Sequence, residues 1–418
     1  MVERRQQTKR SKPYPFRGLR VLDFGIGAVG VETGRLFAEY GADVIKVESS
    51  ANPDFIRTIQ PGGMGPPFAS SNRSKRSFGV NLKTKKGQKL VWRLVQEADV
   101  IVENSATGVM ERLGLAYDVV RDLNPGVVMI SSQLLGSAGP WSGWVGYGPS
   151  THMISGLSYL WNDVDADYPG GTQNIYPDHL IGRLGALLAV ASLIQRERTG
   201  TGSHGEIAQF EVPIGLLGDL FLQESLQAGS VVPQGNHNVR GVPWGAYPCL
   251  GEDEWCVINV GSDEQWERLR IVMGDPSWGR RAAYRSTRGR REHRAEIDKR
   301  LSRWTASRTS REVMVLLQEH GIPAGMVQHP RDQTEDPHLA KRGYLQPVDQ
   351  PPLGRLLLEG PAFHGTRLPE PIIRPAPALG QHTREICTGL LSMAKSEVEQ
   401  LIDEAVLEVP EEMDPSAE

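Results

Sequence analysis

The chain has 418 residues, which at roughly 150 residues per domain is two to three domains. Lys and Arg total 46 against 50 Asp and Glu, a net charge of −4, which excludes the basic face or stripe that nucleic-acid binding requires. Hydrophobic residues at 39% and charged residues at 23% suit a globular chain with a sizeable core and exclude disorder of the whole.

In chain order, a basic arm (MVERRQQTKRSKPYPF) comes first, lacking the apolar core of a signal peptide. Leu19–Phe24 reads as a buried strand, Gly30–Tyr40 as an amphipathic helix and Ala42–Glu48 as a second strand. FGVNL from Phe78 is strand-like, Gly87–Glu97 helical, and Asp99–Glu103 and Val127–Ser131 are strands. Strands alternating with helices predict an α/β fold on a parallel sheet, a Rossmann-like large domain. Gly136–Pro177, rich in Gly, Trp, Tyr and Pro, has little periodicity and is expected to serve function. His179–Glu197 is a clear helix; its apolar run Leu180–Ile194 is interrupted by Arg183 and is shorter than the ~20 residues that span a bilayer, so it is expected in a core, not a membrane. A strand-like GEIAQF and a helical 212–229 follow. The pattern breaks around Val231–Gly245, and WCVINVG with Arg-rich helical segments from Trp266 to Glu319 predicts a smaller α/β domain. The tail after Met393 reads as helical, then acidic and fraying. The expected division is a discontinuous large domain, 1–225 with 331–418, around a small domain, 226–330. Cys249, Cys256 and Cys387 match no disulfide framework or zinc spacing, which predicts a reduced, cytoplasmic chain without a metal site.

Gly25-Ile26-Gly27-Ala28-Val29-Gly30 satisfies G-x-G-x-x-G between a strand and a helix, and Glu48 ends the next strand. In a dinucleotide-binding fold such glycines admit a pyrophosphate to the helix N-terminus and the acid binds ribose. An ordinary strand-to-helix turn has the same pattern, and the motif alone leaves both open. Beyond Glu48 come the Gly/Pro loop PGGMGPP, then Asn72-Arg73-Ser74-Lys75-Arg76-Ser77 and Lys83, Lys85 and Lys86. Cations concentrated at a sheet edge suit a multiply phosphorylated ligand, or else a basic surface loop.

Taken in order, VLDF, YGADVIKVE with Asp54 and Arg57, N-x-x-K-R-S, VEN…G…ERLGL, LNPGVVMIS, Gly136–Pro140, EDPHLAKRGY and APALGQHTREI resemble the class III CoA-transferase family, which includes formyl-CoA transferase, carnitine CoA-transferase and α-methylacyl-CoA racemase. The resemblance runs from Gly18 to about Gly389 and sets the NAD reading aside. It implies that CoA binds near Arg57, Asn72, Lys75, Arg76 and Asn104, that a small carboxylic acid is the second substrate, and that two chains interlace as a homodimer, or as a heteromer with a paralogue. Relatives carry a basic residue where Ala106 stands, so one contact to CoA is missing, with Lys83 or Arg73 as replacements.

Pro177-Asp178 is a helix-start signal, and on spacing alone Asp178 reads as an N-cap. The resemblance instead implies that Asp178 is the nucleophile, held ionised by the helix N-terminus. Racemase relatives carry a His-Asp pair where Tyr147-Gly148 stand here, which favours transfer over proton abstraction. Trp141, Trp144, Tyr147, Tyr159 and Trp161 either line an acyl pocket or fill the core. His152 and His179 read as packing or surface groups that could serve the site. Gln133, Tyr147 and Arg240 are the candidate substrate contacts, Arg240 for a substrate carboxylate. The expected activity is movement of CoA between an acyl-CoA and an organic acid, aryl or dicarboxylic, through an aspartyl mixed anhydride. The alternatives are an acyl-CoA racemase or isomerase on the same fold, and a catalytically idle subunit of a transferase complex.

Overall fold

The computed structural model describes residues 12–163, 167, 175–238 and 240–410. Most of the basic arm, the last eight residues and part of the 136–177 stretch lie outside the described residues. The chain divides into two compact units, Met1–Leu157 with Thr172–Phe221 and His338–Glu418, and Ser158–Gly171 with Leu222–Pro337.

The first unit is built on six parallel strands: β1 (Arg20–Asp23), β2 (Asp43–Glu48), β3 (Arg76–Val80), β4 (Val100–Glu103), β5 (Val128–Gln133) and β6 (Ser203–Ala208). They lie in the order β3-β2-β1-β4-β5-β6, a doubly wound sheet whose connection reverses between β1 and β4. Val21, Val44, Val100 and Val128 stand in register and share one core with Phe37, Ala189 and Leu193. Their neighbours Leu22, Ile45, Ile101 and Met129 join the opposite core with Leu90, Leu94, Val398 and Leu401. A sheet buried on both faces has no polar alternation, which is why its strands read as unbroken apolar runs.

Three helices of this unit, α1 (Val29–Glu39), α2 (Gly148–Ile154) and α3 (Tyr176–Thr199), surround Asp178. A Cβ at Gly182 would stand 2.6 Å from Glu32 Cβ, and one at Gly185 would stand 2.6 Å from Thr33 Oγ1, so glycine is what lets α3 lie against α1. Thr33 Oγ1 donates to Gly182 O at 2.8 Å across that contact.

The second unit carries an antiparallel sheet of β7 (Trp244–Pro248), β8 (Trp255–Asn259) and β9 (Ala324–Met326), packed through Tyr247, Cys256 and Ile258 on Trp266, Leu301 and Leu317.

Four elements differ from the sequence reading. The 136–177 stretch is not wholly irregular, since it contains α2. The 212–229 segment is two helices, Glu211–Leu216 and Gly218–Leu226, separated at Leu217. A hairpin, β10 (Leu345–Gln350) and β11 (Gly354–Glu359), belongs to the first unit. After its helix Lys395–Asp403 the tail adds β12 (Leu407–Glu408), which pairs antiparallel with β3 and buries Leu407, while the acidic end 411–418 expected to fray lies outside the described residues. Two residues are too few to show a period in sequence, and the neighbouring strand supplies the partner.

Candidate functional site

The glycine turn after β1 is filled from within. Gly25 N donates to Asp23 Oδ1 at 2.7 Å, Ile26 N to Asn104 Oδ1 at 2.8 Å and Gly27 N to Asp54 Oδ1 at 2.9 Å. Asn104 Nδ2 closes the pair by donating to Ile26 O at 2.9 Å. The amides that would cradle a pyrophosphate in a dinucleotide fold are therefore spent on side chains, and the turn is a braced strand-to-helix connection.

The cations below the turn are braces too. Lys46 Nζ donates to Gly25 O and Asp54 Oδ2, and Lys75 Nζ to Asp23 Oδ2, Val31 O and Asn72 Oδ1. Burial draws the Lys75 ammonium down to about 8 even against the adjacent Asp23 carboxylate. Arg57 makes a two-pronged contact to Glu48 at 2.8 and 2.7 Å and lies 3.6 Å over the Phe68 ring. Arg76 pairs with Asp43 and Glu385 at the surface. Arg57, Asn72, Lys75, Arg76 and Asn104 thus all have partners inside the chain. None of the five lines the cleft beside them.

That cleft, about 270 Å³, opens at the point between β1 and β4 where the strand order reverses. Its walls include Phe24, Gly25 and Ile26 after β1, Lys46 and Glu48 at the end of β2 with Asp54 beyond, Val80 at the end of β3 with Leu82 and Lys83 after it, Ser105 after β4, and Met110, Arg112 and Leu113. A crevice outside the carboxyl ends of strands at such a reversal is where open α/β sheets bind ligands. Lys83 and Arg112 bring cationic side chains to it. Arg112 escaped the sequence reading, although its place after the strand ending at Glu103 was a signal.

Asp178 lies in the first turn of α3 but does not cap it; the N-cap is Ile175, with no side-chain hydrogen bond. Its side chain is 8% exposed, and buried Oδ1 has no hydrogen-bond partner among the described residues. Burial pushes the carboxyl from 3.8 up to about 6, against the opposing influence of His179. Desolvation is the largest influence on it, and at about 6 the carboxyl is still mostly ionised at pH 7. Behind it, Gly148 leaves room that a side chain would fill, since a Cβ there would stand 2.7 Å from Asp178 Oδ2.

One residue along, His179 Nδ1 lies 3.0 Å from Glu32 Oε2. Glu32 is 1% exposed and also accepts from Arg35 at 2.5 Å and Arg183 at 3.3 Å. Burial alone would raise its pKa, but the His179 hydrogen bond and the Arg35 charge overcome that and hold it at about 2. Sequence reasoning missed Glu32 because a charged residue within an amphipathic helix signals an outer face. Here the adjoining helix carries the cations that meet it.

Of the substrate candidates, Gln133 is buried at the end of β5 and donates through Nε2 to Glu103 Oε1 at 2.7 Å. Tyr147 is exposed at the N-cap of α2, next to Gly148. Arg240 belongs to the second unit, where it is exposed and its backbone N–H donates to Asn238 Oδ1. His152 is buried, its ring packed edge-on to Tyr176 at 5.0 Å. Tyr159 and Trp161 lie in the second unit.

Residues 16–383 match the model of a protein family described as CoA-transferase family III. A protein of Mycobacterium tuberculosis named "Probable CoA-transferase" is 38% identical over 407 residues, which cover 94% of this chain and 50% of that protein. The chain therefore spans about half the length of that relative. A succinyl-CoA–D-citramalate CoA-transferase of Chloroflexus aurantiacus is 30% identical, with 93% of this chain and 97% of that one covered. Among solved structures, a CAIB/BAIF family protein from Brucella suis superposes with a TM-score of 0.83 at 27% identity, over 90% of this chain and all of that one.

Proposed function

This chain belongs to CoA-transferase family III, and we propose that it moves CoA from an acyl-CoA donor to an organic acid through covalent intermediates on Asp178. The observation that carries the reading is the carboxylate of Asp178: desolvated, without a partner on Oδ1 among the described residues, and with a pKa of about 6. A buried carboxylate freed of hydrogen bonds is a stronger nucleophile than a solvated one, yet at pH 7 it is still mostly ionised.

The chemistry follows from conservation of atoms. An Asp178 oxygen attacks the thioester carbon, the C–S bond breaks, and a mixed anhydride and CoA thiolate result. The thiolate then attacks the aspartyl carbonyl and releases the donor acid, leaving CoA on Asp178. The incoming carboxylate repeats the two steps in reverse order, departs as its CoA thioester and restores the aspartate. Every intermediate stays acyl-activated, so water must be kept from it. The burial of Asp178 serves that requirement.

For CoA, the cleft at the sheet reversal supplies apolar walls from Phe24, Val80, Leu82 and Met110 and cations from Lys83 and Arg112. These two cations meet the phosphates in place of the basic group missing at Ala106. Arg57, Asn72, Lys75 and Asn104 support the walls, and Arg76 lies at the edge. Lys83→Ala together with Arg112→Ala is expected to raise the KM for acyl-CoA with little effect on that for the acid.

The racemase alternative requires a second base facing the α carbon. Tyr147-Gly148 offer none, and Gly148 packs directly on Asp178. Assembly as a homodimer is supported by apolar surface left open on α3 and beyond, at Leu184, Leu187, Ile194, Phe221, Leu222 and Leu226. Acyl-CoA substrates and reduced thiols fit a cytoplasmic enzyme.

Trapping tests the reading. Incubation with acyl-CoA and hydroxylamine should leave a hydroxamate on Asp178, seen by mass spectrometry, and Asp178→Ala should be inactive. An unmodified Asp178 with full activity in the Ala variant would overturn it.

A further inference from the structure

We infer that the acyl group handled by this enzyme is aromatic or broadly apolar rather than a dicarboxylate, and that it rests on a shelf of Phe55, Trp141, Trp144 and Tyr147; the inference depends on Asp178 being the nucleophile. Among the exposed aromatics of the first unit are Phe55 at 40%, Trp141 at 48%, Trp144 at 60% and Tyr147 at 69% exposure. Scattered apolar residues on a surface need no explanation, but these are ordered in two pairs. Phe55 meets Tyr147 edge-on with ring centroids 5.6 Å apart, and Trp141 stacks on Trp144 at 5.3 Å with 20° between the ring planes.

The shelf adjoins the nucleophile through the chain itself. Tyr147 directly precedes Gly148, whose missing side chain leaves the space taken by Asp178 Oδ2. The loop that carries the two tryptophans is anchored rather than trailing. A Cβ at Gly146 would stand 2.6 Å from Leu134 Cδ2, and Thr107 Oγ1 donates to Ser142 O at 2.8 Å. Rigid aromatic faces beside a reacting carboxylate present flat apolar surface at little entropic cost.

Charge separates the two classes of acid. From Gly136 to Ser150 the sequence contains no Lys, Arg, His, Asp or Glu. A succinyl-type acyl group carries a second carboxylate that needs a cation or several donors when it is desolvated. The cations on the first turns of α3 and on α1, His179, Arg183 and Arg35, are turned to the Glu32 carboxylate. An aryl or branched apolar group meets no such requirement on this shelf.

The experiment compares benzoyl-CoA, phenylacetyl-CoA and succinyl-CoA as donors to one common acceptor acid in the full chain, its variants Trp144→Ala and Trp144→Leu, and Trp141→Ala. The expected result is a kcat/KM for the better aryl donor at least ~10-fold above that for succinyl-CoA, with the aryl-to-succinyl ratio falling ~10-fold in Trp144→Ala and less in Trp144→Leu. Preference for succinyl-CoA, or a ratio unchanged in both alanine variants, overturns the inference. So does a Trp144→Ala chain that changes from dimer to monomer with its ratio intact, because a second copy would then cover the shelf. Hydroxylamine separates the two levels: Asp178 hydroxamate with succinyl-CoA alone sinks the acyl class only, whereas none with any donor sinks the nucleophile.

Discussion

Gly148 and Asp178 stand back to back: a Cβ on Gly148 would lie 2.7 Å from Asp178 Oδ2 and 2.6 Å from Ile175 Cγ2. The first is closer than carbon and oxygen tolerate without movement, so the glycine defines where the carboxylate can sit. Gly148→Ala should displace Asp178 or Ile175, lowering kcat by ~10-fold or more, since small misplacements of a reacting group carry that penalty. Overpacking would cost about 1–3 kcal/mol of stability. Steady-state kinetics with thermal unfolding measures both, and a fully active, unshifted Gly148→Ala would contradict the role given to this contact.

The pH dependence of the reaction follows from Asp178. Burial places its carboxyl at about 6, so the ionised nucleophile is depleted as pH falls through that value. The kcat/KM profile should therefore show an acid limb with a midpoint near 6. His179 opposes the rise, and His179→Gln should move the midpoint upward. A flat profile between pH 5 and about 8 would count against Asp178 as the attacking group.

The same shift has a cost in stability. The folded-state pKa of about 6 lies above the ordinary 3.8, so the folded chain binds the proton more tightly and ionised Asp178 destabilises the fold at higher pH. The relative stabilisation is fully present below 3.8 and is lost as pH rises through about 6, a difference of about 3 kcal/mol. Asp178→Asn should accordingly be inactive yet more stable than the parent at pH 8, with the gain vanishing towards pH 4. Urea denaturation at the two pH values measures it.

Glu32 has the opposite sign. Its pKa is held at about 2 against an ordinary 4.5, so it stabilises the fold above 4.5 and that contribution is lost as pH falls through about 2. Glu32→Gln should lose about 3 kcal/mol at pH 7 and loosen the start of α3, where His179 in the first turn and Arg183 one turn on hold on to it. A parallel loss of kcat is expected, with KM for acyl-CoA little changed. Denaturant unfolding and kinetics on the same preparation test whether the two losses travel together.

Leu407 tests the closing strand. It is 1% exposed, pairs with Val80 and belongs to the core that holds Leu22 and Ile45. Leu407→Ala should destabilise by about 2–5 kcal/mol, as for other buried leucines, whereas a frayed tail would show almost nothing.

The strands of the sheet were legible because both faces are buried, so Val21-Leu22, Val44-Ile45 and Val100-Ile101 declare themselves as apolar runs whatever lies beside them. The short β12 and the β10–β11 hairpin were not, because their pairing depends on partners far away in the chain. At the site, Asp178 could be picked out by its surroundings in sequence, whereas its role as cap or nucleophile could not. Spacing says that a helix starts there, and only packing reveals a buried carboxylate whose Oδ1 has no partner among the described residues.

Length, composition and the ordered motifs by themselves determined an α/β chain of the class III type. The net charge of −4 pointed to nothing more, and the run of cations from Arg57 to Lys86 suggested phosphate. In the tertiary structure most of them have carboxylate partners within the chain. Lys75, Arg57 and Arg73 meet Asp23, Glu48 and Glu39, which lie 52, 9 and 34 residues away along the chain. Lys83 and Arg112 are brought to the cleft. A charge in sequence is a potential contact. Which opposite charge comes within reach is set by how the strands are ordered and how closely the helices pack, and neither is written locally in the chain.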